Sequence, residues 1–557
     1  MTGLRQWRKP ATYLLLLIVG LLIYSNTLQS PFVLDDRFFI LENPMIGELS
    51  NFLNFSGTRY VGFLSFALNY AVSGFDLFGF RLTNILIHII NSTLVYLFLT
   101  LTLQTPSLKD SAKELSALGA PLAAALLFLT HPVETQAVTY VVQRFTSLAT
   151  LFYLASLCFY IKARLTGESG DGRGRVLFYA AALVTGLLAQ KTKELAFTLP
   201  AVIVLYEFTF FKISNGLKKK IIYLVPFILL MAVIPISLFL PDLFESSTVA
   251  SRSQYVKEHL TATASASRHD YLITQFRVIV TYLRLLILPV NQTFIYDYPL
   301  LKSFTEIRVL SSFALVAAFF FSAVYLYIRS IKRGKGALLL VTFLIIWFFM
   351  ALSVESSIIP LRFVIFEHRL YLPSTAILPA ATVAFFYLFM WFFRNKASIT
   401  HRLYLWIFII AVITIFSIAT YQRNAVWKDK RTLWSDNLIK APGSDIVHYD
   451  LALVYMDSGE LEKSFYHLKR AVEINPANHM AFNNLANIFY IKRDYRTAMR
   501  YYIKALELEP KNGNAHYNLG LVYEKLGLWD KAQEEFFKAL QADPTINEAR
   551  EKLNRRR

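Results

Sequence analysis

Residues 477–510, ANHMAFNNLANIFYIKRDYRTAMRYYIKALELEP, decide how the C-terminal part of the chain folds. Leu485, Ala486 and Phe489 stand in one amphipathic run, Ala498 and Ala505 in a second, and the stretch closes on Pro510. The pattern recurs on both sides. Pro442, Pro476, Pro510 and Pro544 are spaced by 34 residues. Leu451, Leu485 and Leu519 keep the same step, as do Ala452, Ala486 and Gly520, and Tyr455, Phe489 and Tyr523. The second runs contribute Ser464, Ala498 and Ala532, then Ala471, Ala505 and Ala539. Small residues let two helices approach closely, and aromatics fill the gap between them. Each proline closes a helix where its missing N–H costs least.

A 34-residue helix–turn–helix period is that of the tetratricopeptide (TPR) repeat, whose units stack into an α-solenoid. Residues 445–546 are read as three repeats and 547–557 as a basic tail. Residues 422–444 are read as a linker helix and degenerate half repeat, because Trp434 stands where later units place Leu468, Tyr502 and Phe536. Asp450, Asn484 and Asn518 also keep the 34-residue step, just before the repeated leucine. Stacked along a concave face, such side chains could hold an extended acceptor peptide. Equally, asparagine there merely suits the repeat.

Toward the N-terminus the texture changes near Tyr421. Residues 1–421 carry their apolar residues in long runs broken by short basic loops. The 557-residue chain is 55% hydrophobic and 15% aromatic, with a mean hydropathy of +0.43. A bilayer-spanning helix needs about 20 apolar residues. Sufficient runs begin near Tyr13, Leu82, Leu115, Phe145, Val176, Leu195, Ile221, Val309, Ala337, Leu370 and Leu403. The expected fold is therefore all-α, a polytopic bundle of about eleven spans followed by the solenoid. The net charge is +19, yet from Gln422 onward 22 basic residues face 18 acidic ones. The excess thus sits in the membrane part, where it reports orientation and not nucleic-acid binding. The first run follows Arg5, Arg8 and Lys9 without a small-residue cleavage pattern, as in a retained signal anchor. A single cysteine, Cys158, excludes a disulfide framework.

Lys and Arg in short loops mark the cytoplasmic side. With the N-terminus inside, loops 30–80, 130–144, 190–194, 241–308 and 354–369 face the periplasmic, extracytoplasmic or luminal side, and so does the tail. Residues 271–289 are apolar enough to cross but carry Arg277 and Arg284. A charge at mid-bilayer costs at least ~2.5 kcal/mol, so this stretch is read as re-entrant or interfacial.

Ionisable residues at membrane depth are costly, which makes each a functional candidate. Asp35 and Asp36, in Phe32-Val33-Leu34-Asp35-Asp36-Arg37, repel one another, so one carboxyl should titrate upward as a general base requires. From these residues alone, a solvated cap pair with Arg37 is the stronger reading. His131-Pro132-Val133-Glu134, followed by Gln143-Arg144, puts His and Glu on one helix face. That is too few ligands for zinc, so no metal site is expected, and a polar hinge competes as an explanation. Gln190-Lys191-Thr192-Lys193-Glu194 places two lysines on an outward loop against the charge trend, which suits a phosphate partner. Arg362 and Glu367-His368-Arg369-Leu370-Tyr371-Leu372-Pro373 break the trend on the same face.

Taken together, these landmarks resemble the transmembrane-and-TPR O-mannosyltransferases of the C-type membrane glycosyltransferase superfamily. The resemblance is carried by Asp35-Asp36 with Asn43-Pro44, Arg81-x-x-Asn84-x-x-x-His88, His131-Pro132-x-Glu134, Lys193-Glu194, Glu367-x-Arg369-x-Tyr371-Leu372-Pro373 and the repeats. Three repeats are fewer than the animal members carry, which points to a compact, bacterial-type relative. The resemblance implies a sugar donor linked to polyprenyl phosphate, used on the non-cytoplasmic face, and leaves any metal requirement open. It implies that Asp35 is the catalytic base, with Asp36 supporting it. An inverting transfer needs one such carboxylate for the acceptor hydroxyl's proton. The leaving phosphate needs positive charge, for which Arg144, Lys191, Lys193, Arg362 and Arg369 are candidates, with His131, Glu134, Glu194 and Glu367 in support. Expected partners are the lipid-linked sugar, membrane lipids and an acceptor protein offering Ser or Thr to the TPR domain. Two other functions compete: a lipid or polysaccharide glycosyltransferase with TPRs docking partners, and an inactive scaffold, against which the acidic pair weighs.

Overall fold

The computed structural model describes residues 2–53, 57–109, 113–211, 217–239, 266–334, 336–393 and 399–554. All regular structure among them is helical. The chain divides into two compact units, Met1–Gln292 with Tyr298–Lys428, and Thr293–Asp297 with Asp429–Arg557.

Among the described residues of the first unit seven helices are long and apolar enough to cross a membrane: Pro10–Thr27, Leu77–Thr102, Val141–Glu168, Lys220–Ser237, Ile307–Arg333, Glu367–Phe392 and Ile399–Ala425. They coincide with seven of the expected runs. The runs from Leu115, Val176, Leu195 and Ala337 correspond to Ala120–Thr130, Gly172–Gln190, Leu199–Phe210 and Gly336–Leu352. Leu199–Phe210 has 12 residues, about 18 Å of rise against a hydrocarbon core of about 30 Å. A further apolar helix, Tyr60–Ser73, lies in the first long loop. Arg268–Ile287 forms where an interfacial helix is expected and is not among the seven.

Short polar side chains start the helices. Asp76 accepts from the Gly79 N–H at 3.2 Å and Asp171 from that of Gly174 at 2.9 Å. Within the bundle, buried polar side chains bond across helices. Asn91 Nδ2 donates to the Ser147 carbonyl at 2.8 Å and to Tyr371 Oη at 3.0 Å, and His88 Nδ1 lies 2.8 Å from the same hydroxyl. At the opposite helix ends, fully buried Glu207 accepts from Tyr160 Oη at 2.8 Å and Arg164 Nε at 2.9 Å. Close approach is built in at Gly62, where an added Cβ would overlap the Phe145 ring. The Tyr60–Ser73 helix therefore lies directly on Phe145 and presents Arg59, its N-cap residue, over that ring at 5.4 Å.

The second unit opens with Lys430–Lys440 and continues through three helix pairs: Asp445–Asp457 with Leu461–Ile474, His479–Ile491 with Tyr495–Leu508, and Gly513–Lys525 with Trp529–Ala542. Asn547–Asn554, at the start of the tail, forms one more helix with Ala549 buried. Each pair closes on the small and aromatic residues of the repeat, such as Ala452 with Leu468 and Ala486 with Tyr502. Ser444, Asn478 and Asn512, again 34 residues apart, cap the three first helices, accepting from the N–H groups of Val447, Ala481 and Ala515. Trp434 is buried, its ring 5.5 Å from that of Phe294. Asn437 binds the Thr293–Asp297 strap, accepting from the Ile295 N–H at 2.7 Å and from Thr293 Oγ1 at 2.9 Å.

Candidate functional site

Arg81, on the first turn of the Leu77–Thr102 helix, holds the start of the acidic loop. It donates to the Ser30 carbonyl at 3.1 and 2.9 Å and to that of Pro31 at 2.5 Å. Leu34 then takes the left-handed conformation, φ 45°, which is costly for a branched side chain. This bend separates the two aspartates. Asp36 is fully buried; its Oδ2 accepts from the Val33 N–H at 3.0 Å and its Oδ1 from that of Val142 at 2.7 Å. Burial pushes its carboxyl up to about 7, against the pull of Arg81 and the two N–H donors. Asp35 is half-buried, and its N–H donates to Tyr140 Oη at 2.9 Å. A π-helical turn, Arg37–Leu41, follows, a form found often at functional sites. Asn43 closes the loop by accepting from the Met45 N–H at 3.0 Å and donating to the Phe39 carbonyl at 3.2 Å.

The segment after Thr130 is stitched from several directions. His131 uses both ring nitrogens, Nδ1 accepting from the Val133 N–H at 3.2 Å and Nε2 donating to the Leu286 carbonyl at 3.0 Å. Glu134 is fully buried beside Tyr24, Tyr371 and Ser374. Arg144 is also fully buried. It bonds Asn84 Oδ1 at 2.7 Å, Asn69 Oδ1 at 2.5 Å, and the Ser65 and Phe80 carbonyls at 3.1 and 2.9 Å. Its guanidinium lies over the Phe66 ring at 4.6 Å.

The other cations come from three stretches, Arg59, Lys191 with Lys193, and Arg362 with Arg369. Lys193 Nζ donates to Thr146 Oγ1 at 2.9 Å and pairs with Glu355 at 2.7 Å. Burial pulls Lys193 below the ordinary lysine range, with Glu355 acting the other way. Arg59 grips Glu194 through two hydrogen bonds of 3.0 Å each. Burial acts to raise Glu194, but Arg59 more than reverses this and holds it low. Lys191 donates to the Gly57 carbonyl at 3.1 Å and Ser237 Oγ at 3.0 Å. A small pocket of about 10 Å³, room for roughly one water, lies here, lined by Thr58, Arg59, Gln190, Lys193, Glu194, Ile234 and Ser237.

Arg369 donates to the carbonyls of Phe363 and Val364 at 2.7 and 3.0 Å and lies in the field of Glu355. His368 lies in the field of Lys193, Arg369 and Arg59, and its backbone N–H donates to Gln136 Oε1 at 2.8 Å. Glu367 accepts from Gln292 Nε2 at 2.8 Å. Arg362 is exposed and lies over its neighbour Phe363 at 5.4 Å.

One stretch joins the acidic and basic groups: Tyr140 meets Asp35, Val142 meets Asp36 and Thr146 meets Lys193. Six residues of helical backbone span roughly 10 Å. Asp35 and Lys193 thus meet residues six apart on one stretch, Asp35 through Tyr140 Oη and Lys193 through Thr146 Oγ1. Arg59, Glu355, Tyr140 and Gln136 are additions to the residues singled out from the sequence. Arg59 carried a readable signal, another cation in an outward loop. Glu355 carried none until its pairing with Lys193 was visible. Among the described residues, no group of three or more His, Cys, Asp or Glu side chains converges as metal ligands do.

In the second unit Asp450, Asn484 and Asn518 are half-buried on the three first helices. Asn484 Nδ2 donates to Tyr449 Oη at 3.2 Å, Asn487 Nδ2 to Asn484 Oδ1 at 3.0 Å, and Asn518 Nδ2 to Asn487 Oδ1 at 3.3 Å. Amides thus run from one repeat to the next.

Tetratricopeptide repeat models match residues 447–478 and 513–546, and a TPR repeat model matches 486–527. Over most of its length the chain is similar to protein O-mannosyl-transferases. With TMTC1 of Homo sapiens it shares 25% identity over 520 residues, 84% of this chain and 55% of the relative. With Tmtc3 of Drosophila melanogaster it shares 23% over 573 residues, 89% and 58%. A shorter match to Tmtc2 of Drosophila melanogaster has 32% identity over 36% of this chain and 22% of the relative. The chain spans about half the length of the first two. These relatives and the repeats fit a family of membrane glycosyltransferases that carry TPR domains.

Proposed function

We propose that the protein is a membrane glycosyltransferase that moves a sugar, as its relatives' names suggest a mannose, from polyprenyl phosphate to a Ser or Thr hydroxyl of a protein held by the TPR unit. Asp35 is the base. Its carboxylate takes the acceptor hydroxyl's proton as the oxygen bonds to the anomeric carbon. The bond from that carbon to the phosphate oxygen breaks, its electron pair leaves with the phosphate, and the configuration inverts. The phosphate goes from one negative charge to two, which Lys193, Arg369 and Arg59 offset in a water-poor setting. Arg144 and Asp36, whose partners are all protein groups in the contacts described above, shape the loop between them. Lys191 extends the cationic side, and Arg362 stands ready at the surface for the same anion. Asp450, Asn484 and Asn518 offer side-chain acceptors and amides to the peptide.

The observation that carries this reading is the Tyr140–Thr146 connection between a half-buried carboxylate and the buried Lys193. Asp35→Asn keeps size and hydrogen bonding but cannot accept the proton. A general base is worth ~10²–10⁴ in rate, so transfer at saturating donor should fall by about that factor while donor affinity stays unchanged. An Asp35→Asn protein transferring near the wild-type rate would exclude Asp35 as the base.

A further inference from the structure

We propose that Glu355 sets the charge of the phosphate this cluster accepts, by standing as its internal counter-ion. The inference rests on the reading of the cluster as a phosphate site. Glu355 Oε1 lies 2.7 Å from Lys193 Nζ, with the two side chains 15% and 9% exposed. Its carboxylate therefore occupies a place beside Lys193 that an incoming anion would want. Arg59 is already matched by Glu194 through two bonds, whereas the hydrogen bonds of Arg369 go to neutral acceptors, two carbonyls and Tyr271 Oη. Glu355 also lies in the field of Arg369, so it serves two cations at once.

The groups that act on one another here, Arg59, Lys193 and Arg369 against Glu194 and Glu355, leave one positive charge, while Lys191 stands outside this set with its ammonium on the Gly57 carbonyl and Ser237 Oγ. That matches a phosphodiester, which carries one negative charge whatever sugar is attached. A phosphate monoester carries up to two, and it finds the second positive charge only if Lys193 exchanges Glu355 for phosphate. Glu355 is placed for such an exchange. Its backbone carbonyl is pinned by Tyr271 Oη at 2.8 Å, so the carboxylate, 15% exposed, would leave Lys193 by rotation of the side chain alone. In its resting position the carboxylate favours the diester over the monoester, which is the distinction between a lipid-linked sugar and the spent lipid.

The test uses the full chain purified in detergent and titrated with farnesyl phosphate, a monoester, and farnesyl methyl phosphate, a diester. Farnesol and inorganic phosphate are the controls. The wild type should bind both lipid phosphates and prefer the diester. Glu355→Gln should tighten monoester binding roughly tenfold and diester binding much less, since the removed charge lies within contact distance of Lys193. Lys193→Gln should weaken both. If Glu355→Gln does not fold, Glu355→Asp withdraws the carboxylate by one methylene and should shift the preference in the same direction. A folded Glu355 variant with an unchanged diester-to-monoester ratio overturns the counter-ion role while leaving the phosphate site standing. A wild type that binds the lipid phosphates no better than farnesol overturns the phosphate reading itself. Inorganic phosphate binding as tightly as farnesyl phosphate would assign the site to free phosphate.

Discussion

Asp36 accepts hydrogen bonds on both oxygens, from Val33 at 3.0 Å and Val142 at 2.7 Å, in a fully buried position. An asparagine there can accept only one of them and turns its NH₂ group toward the other donor. Asp36→Asn should therefore lower stability by about 1–3 kcal/mol, the usual cost of leaving a buried group unsatisfied. It should reduce transfer through the misplaced loop as well. Thermal unfolding of the purified variant checks this, and an unchanged midpoint would remove the structural role. The adjacent Asp-Asp pair was legible in the sequence as a pair only. What divides the two is the left-handed Leu34 and the approach of Val142, 106 residues further along the chain. The same holds for Arg144. As a lone arginine at a span's end it resembles any other cation, and only the four acceptors around it reveal its engagement with the fold.

The TPR helices were legible because their period is local: the repeated leucine, small and aromatic landmarks fall on the helix pairs, and Pro476, Pro510 and Pro544 stand just past the second helices. Within that period one position pair varies: His448 with His467, Phe482 with Tyr501, and His516 with Glu535. The first pair meets Nδ1 to Nδ1 at 3.0 Å, the second stacks at 6.3 Å, and the third is hydrogen-bonded at 2.5 Å. Burial, then His448, pulls His467 down to about 4, and burial lowers His448, which also faces Arg470 and Asp445. Unfolded histidines protonate near 6.5, so below that pH the unfolded state binds more protons and stability falls, down to about 4. His516 behaves in the opposite sense. Glu535 raises it first, so its contribution is complete below the unfolded value and is lost as pH rises. Glu535, held low, loses its contribution only in stronger acid. Unfolding midpoints should therefore drop between pH 6.5 and 4.5. Replacing the first pair by that of the second repeat, His448→Phe with His467→Tyr, should flatten this slope. An identical slope in the double variant would assign the acid sensitivity elsewhere.

At the scale of the whole molecule, the excess of basic residues in the short loops of residues 1–421 predicts which side each helix end faces. Reporter fusions after Arg557 and within residues 218–220 should report opposite sides of the membrane. Two cytoplasmic signals would displace the TPR unit and with it the proposed catalytic face. The sequence by itself determined the helical class, the presence of the repeats and most of the long spans, and it flagged several of the costly ionisable residues. Each of these depends on local quantities: the length of an apolar run, a 34-residue period, or a charge where hydrocarbon is expected. The tertiary structure decided which ionisable residues meet. Tyr140 reaches Asp35 across 105 residues and Asn91 reaches Tyr371 across 280. Glu355, unremarkable in its own stretch, comes to hold Lys193. A buried charge takes its role from the partner that offsets its desolvation, and in a bundle of long helices that partner comes from a distant part of the chain.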